Sequence, residues 1–159
     1  MSQIDDSIEK LNCAADGHDN ERESQSRADR IIHSNGPFLW RSFVQALESE
    51  VQRVNERLKN EAHQLRFKRL GNEKVRACRA RYPSLCSEVR LDLDGHRIRF
   101  ASVLERDAET KAEPQTSGFF RIRAFGSDLQ LANGEEVITV TEAVELILSP
   151  LLEGTDFRS

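Results

Sequence analysis

No stretch of this chain approaches the ~20 consecutive apolar residues that a membrane-spanning helix needs. The N-terminus, Met1-Ser2-Gln3-Ile4-Asp5-Asp6, lacks the positive start and apolar stretch of a secretory leader. No membrane association is expected, and the expected address is the cytoplasm. Cysteine is scarce: Cys13, Cys78 and Cys86 make an odd, sparse set, which does not form a disulfide framework. Free thiols in a reducing compartment are the expectation. A phosphate-binding P-loop, a dinucleotide fingerprint and a Gly-x-Ser-x-Gly elbow are all missing. Apolar residues are also in short supply: they make up 38% without glycine, and the eight glycines still leave the share below the about 45–50%, Gly included, of a typical globular domain. The shortfall points to a segment that joins no core.

That segment is read as residues 1–36, a disordered acidic and polar tail without one aromatic side chain. Ile4, Ile8 and Leu11 share one helical face within it, the spacing of a transient turn or a docking peptide. A single domain is placed at 37–153 and a frayed C-terminus at 154–159. Pro37 suits the first position of a helix. Leu39 or Trp40, then Phe43, Leu47, Val51, Val54 and Leu58 recur in steps of three and four, predicting an amphipathic helix to about Glu61.

From Leu65 the period changes to two. Leu65 and Phe67 alternate with Arg66 and Lys68, Val75 and Ala77 with Arg76 and Cys78, and Val89, Leu91 and Leu93 with Arg90 and Asp92. Asp94-Gly95 predicts a two-residue type I′ hairpin with positive φ at both residues, which pairs Leu91 with Ile98 and Val89 with Phe100. Residues 107–118, with Pro114, read as a loop. Gly126-Ser127 is a second two-residue turn and Asn133-Gly134 a third. Thr139-Val140-Thr141-Glu142 is a capping box opening a C-terminal helix that Pro150 should end or kink near Ser149. Glu135-Glu136 reads as acidic residues favouring that helix's N-terminus. The expected fold is therefore α+β in two layers: an N-terminal amphipathic helix, a five- or six-stranded antiparallel meander, and a C-terminal helix on one sheet face.

Charge is unevenly spread. Residues 63–99 carry ten basic and four acidic side chains, and residues 100–159 carry five and eleven. With the registers above, Arg90, Arg97, Arg99, Arg121 and Arg123 point away from the core, and Phe119 and Phe125 share their parity. Arg90 opposes Arg99, a like-charge pair that lowers stability until an anion relieves it. Arginine forks suit phosphate and carboxylate, and aromatic rings among basic groups on a sheet are a platform for single-stranded nucleic acid. The same residues also fit a solvated surface or a protein interface. Leu146 and Leu152 fall off the C-terminal helix's main stripe and are a further place for a second chain, or for packing under the first helix.

No metal is expected, since Cys78, Cys86 and His96 lack the close cysteine pair of structural zinc sites. No cofactor and no catalytic residue is assigned. His96 reads as a satisfied histidine at the core margin, and an enzyme would need a pocket beside it. The sequence therefore points to a non-enzymatic binding or adaptor module working through protein–protein contacts, homodimerisation included. The alternative is a binder of single-stranded nucleic acid or a phosphate ligand on the basic sheet face.

Overall fold

The computed structural model describes residues 3–59, 63–107 and 109–153, with side chains from residue 26 onward. The Ile4–Ile8–Leu11 face, Cys13, His18 and the C-terminal residues 154–159 lie outside the described side chains. The chain runs α1 (Gln3–Arg57), β1 (Leu65–Arg69), β2 (Lys74–Arg79), β3 (Ser84–Asp92), β4 (Arg97–Glu105), β5 (Glu113–Phe125), β6 (Asp128–Asn133), β7 (Glu136–Ile138), α2 (Val140–Leu152). The fold is α+β, with the strands in one antiparallel sheet in chain order, curled as a half-barrel.

There are seven strands, not five or six. The extra one is β7: Asn133-Gly134 turns the chain at Gly134 (φ 65°), and Val137 then pairs with Ala132. Glu136 is thus a strand residue rather than part of the helix start. β5 also begins earlier than expected, inside the stretch read as a loop. Its first half pairs with β4 alone, and a bulge lets Ser102 face Thr116 while Val103 faces Pro114. A bulge on a strand segment with one free edge is where a strand accepts proline, because no ladder bond is lost there.

The stripe on α1 is as the periodicity predicts. Trp40, Phe43, Leu47, Val51, Val54 and Leu58 are all buried, and each large side chain removed from water contributes roughly 1.5–3 kcal/mol. Pro37, however, lies inside α1 rather than at its start, and the helix ends at Arg57. The stripe extends back across the proline: Ile32 is buried in the same core, and Gly36 lets the helix approach so closely that a Cβ there would sit 2.3 Å from Leu93 Cδ2. Burial on both sides of Pro37 outweighs the one lost helix bond.

Helix α1 packs on β1, β5 and β6, and α2 on β2 and β3. Asn55 ties α1 to β1 by accepting from Leu65 N (2.7 Å) and donating to Leu65 O (3.0 Å). Ser87 Oγ donates to Ile147 O across the sheet–α2 interface (2.8 Å). Thr139 caps α2 in the expected reciprocal box with Glu142. Pro150 does not end α2, which continues to Leu152. Arg79 supplies the compensation: its guanidinium donates to the carbonyls of Leu151 (3.0 Å) and Glu153 (3.0 Å), holding the last turn. Leu152 packs against the core, whereas Leu146 is exposed.

Candidate functional site: the open sheet face

Alternation along the strands sends one set of side chains to the helices and the other to solvent. The pairing on which the sequence reading rested is present: Leu91 with Ile98, Val89 with Phe100, Ala124 with Leu129, Ile122 with Leu131. The five arginines and Phe119 singled out from the sequence consequently lie on the open face, whereas Phe125, at the β5–β6 turn, lines a depression beside α1 with Phe38 and Leu39. Arg90 faces Arg99, Arg99 faces Phe119, and Arg97 faces Arg121, so three strands bring five of them into two adjacent rows. Arg123 and Phe125 follow along β5. Phe119 is 47% exposed and Phe125 68%.

The five arginines are not equivalent. Arg97 Nε donates to Asp92 Oδ2 (2.8 Å), and its guanidinium lies 5.5 Å from the centroid of the Phe119 ring. That bond, then the Gly95 N–H and the charges of Arg97 and Arg99, hold the Asp92 carboxyl below the ordinary carboxylate range. Arg90, Arg99, Arg121 and Arg123 have no ion pair or hydrogen-bonding partner for their side chains among the described residues. Among the described residues no carboxylate of the acidic C-terminal third pairs with them. Together with Glu88, Gly118 and Phe119, Arg90, Arg97 and Arg99 line a depression of about 390 Å³.

The other half of the same face is also basic but fully paired. Glu88 accepts from Lys74 Nζ (2.9 Å) and Arg76 Nη2 (2.6 Å). Burial pushes the Glu88 carboxyl up, and the bonds from Lys74 and Arg76 more than reverse this, leaving it below its ordinary value. Glu105 is buried and has three cations around it, Arg76 at 3.5 Å, Arg66 at 3.7 Å and Lys68 at 3.8 Å. Beside it, Cys78 and Cys86 are directly opposed across β2 and β3 with Cα atoms 4.0 Å apart, and the structure joins their sulfurs. Free thiols were the expectation. The spacing of eight hides a cross-strand pair, which only the β2–β3 register brings together.

The β3–β4 turn also differs from its expected form. Positive φ falls on His96 (52°), and neither Asp94 nor Gly95 adopts it. His96 N donates to Leu93 O (3.0 Å) and Gly95 N to Asp92 Oδ1 (3.0 Å), a turn closed by a left-handed residue rather than a type I′ loop. His96 leaves the core margin: its Nε2 stands 2.6 Å from Asp29 Oδ1 on α1.

Two groups of side chains have the chemistry of metal ligands, Cys78–Cys86–Glu105 and Asp29–His33–His96. The first has its sulfurs joined and its carboxylate ringed by cations, which opposes a further positive charge. Glu105, Asp29 and His33 are functional candidates the sequence reading missed. Ala101, Val103 and Glu105 share the open-face parity, so Glu105 was recoverable from alternation, whereas nothing local announced Asp29. Comparison of the chain with protein-family models, with curated proteins and with solved structures finds no match.

Proposed function

We propose that this protein is a non-enzymatic binding module that takes a single-stranded nucleic acid, or a ligand of the same phosphate chemistry, on the open face of its sheet. The observation that supports this reading is the set of unpartnered arginines on one face: Arg90, Arg99 and Arg121 in the two rows that hold exposed Phe119, and Arg123 further along β5. An unrelieved Arg90–Arg99 opposition lowers stability, and a phosphate between the two guanidiniums removes it. Phe119, with one side engaged by Arg97, offers the ring a base stacks on. The test is fluorescence anisotropy of the full chain against random-sequence single-stranded DNA and RNA over a salt series. Binding should weaken linearly in a log–log plot, and Arg99→Ala and Arg121→Ala should each reduce the slope by about one. No binding at low salt, or slopes unchanged in both variants, rejects the reading.

A second reading, contact with another protein or a second copy, is favoured by a separate feature. Phe38 (61% exposed) and Phe125 line one shallow depression where Asn35 Nδ2 donates to Ser127 O (3.0 Å). Two exposed phenylalanines on one depression suit an apolar partner. Analytical ultracentrifugation of the full chain and of Phe38→Ser/Phe125→Ser separates the two readings, because only self-association responds to that pair of changes.

A further inference from the structure

Where α1 passes the β3–β4 turn, three side chains converge from distant parts of the chain. Asp29 and His33 are one helical turn apart on α1, so they project from the same side, and His96 comes from the turn. His96 Nε2 lies 2.6 Å from Asp29 Oδ1, His33 Nδ1 lies 3.3 Å from the same oxygen, and the three ligand atoms all fall within 4.8 Å of one another. The imidazoles meet edge to face with centroids 6.1 Å apart. On the far side of His33, Nε2 stands 3.3 Å from Asp94 Oδ1. Among the described residues no lysine or arginine pairs with Asp29 or Asp94; their ionic partners are histidines alone.

We propose that Asp29, His33 and His96 form a binding site for one divalent transition-metal ion of the zinc class, which ties α1 to the β3–β4 hairpin. Imidazole nitrogen and carboxylate oxygen are zinc's own donors, at about 2.0–2.2 Å from the ion. Tetrahedral ligands at that radius stand about 3.3 Å apart, and the observed separations fall around this value. Two imidazoles select against calcium and magnesium, which take oxygen ligands. Asp94 occupies the place of the outer carboxylate that fixes the tautomer and orientation of a metal-bound histidine. His33 Nδ1 also lies 2.9 Å from the Asp29 carbonyl oxygen; a ligating Nδ1 carries no proton, so the ion replaces that contact and leaves the ring's N–H on Nε2, facing Asp94. The three side chains are only partly covered, which leaves an entry path and a coordination position for water. This departs from the sequence expectation of no metal, and it stands independently of the anion-binding reading.

The experiment is titration of the full chain with Co²⁺ followed by visible absorption, with Zn²⁺ competition and thermal denaturation in Zn²⁺ or a chelator. The expected result is one saturable site per chain, a tetrahedral Co²⁺ spectrum that Zn²⁺ displaces, and a melting temperature raised by excess Zn²⁺. His33→Gln and His96→Asn should each weaken binding about tenfold or more; asparagine tolerates the left-handed backbone at 96, and circular dichroism verifies that both fold. Cys78→Ser/Cys86→Ser and His63→Gln should bind as the unaltered chain does. No saturable binding, unchanged affinity in both histidine variants, or loss of binding in the cysteine variant overturns the proposal.

Discussion

The open face of the sheet divides into two halves of like composition and opposite state. On the open face of β1 and β2, Lys74 and Arg76 pair with Glu88, and Arg66, Lys68 and Arg76 with buried Glu105. Around the β3–β4–β5 turn end, one arginine of five is paired, and the paired one is Arg97 with its near neighbour Asp92. Basic residues in the first half are therefore part of the structure's own electrostatics. In the second half they are unspent on the fold, and their charge is available to a partner. Arginine count alone does not distinguish the halves; the placement of two glutamates does.

The sharpest way to break this comparison is to remove the carboxylate at the centre of the paired half. Glu105→Gln leaves Arg66 and Lys68 without their counter-charge and Arg76 with Glu88 alone, and the loss should be about 3 kcal/mol of stability, read by urea denaturation. A change under 0.5 kcal/mol would mean that the paired half is no more committed to the fold than the free half. Next in size is the converse substitution. Arg99→Ala/Arg121→Ala should leave unfolding free energy within about 0.5 kcal/mol of the unaltered chain, yet weaken nucleic-acid binding by more than tenfold in low salt. Equal losses of stability in the two halves would dissolve the distinction.

The paired half should also respond to acid. The Glu88 carboxyl is held below its ordinary value by Lys74 and Arg76 against the opposing effect of burial. A carboxyl depressed on folding adds stability that is present above its unfolded pKa, about 4.3, and lost as pH falls through the folded value. The stability difference between the chain and Glu88→Gln should accordingly be constant near neutrality and shrink as pH falls below about 5. A difference that persists to pH 2 would assign the effect to packing rather than charge. The smallest effect is expected at the unrelieved pair: Arg90→Thr should raise stability by a few tenths of a kcal/mol by removing a cross-strand repulsion, while reducing affinity for the anion. A fall in stability would show that Arg90 is satisfied by the fold after all.

Much of this was legible in the sequence, where local rules act alone. Alternation around Asp94-Gly95 and Gly126-Ser127 placed Arg90, Arg97, Arg99, Arg121 and Arg123 on one face, and the register bears this out. Thr139–Glu142 announced its cap because every partner lies within one turn. The misses share a cause. Pro37 and Pro150 were read by their intrinsic effect on a helix, which burial of Ile32 and the Arg79 bonds to the last carbonyls override. Strand β7 is three residues long, too short to show a period. The left-handed residue in the first hairpin is His96 rather than Gly95, because Asp92 takes the Gly95 N–H and Asp29 engages the His96 ring.

The sequence by itself determined the succession of helix, antiparallel strands and helix, the side of the sheet on which the residues of the two hairpins fall, and the two helices that cover the other side. These follow from periodicity and from turns that act over a few residues. Only the tertiary structure decided which arginines are neutralised, that Cys78 meets Cys86, and that Asp29 and His33 reach His96. Each of those is a contact across separate elements, and its energy depends on distances of a few ångströms that no local pattern encodes.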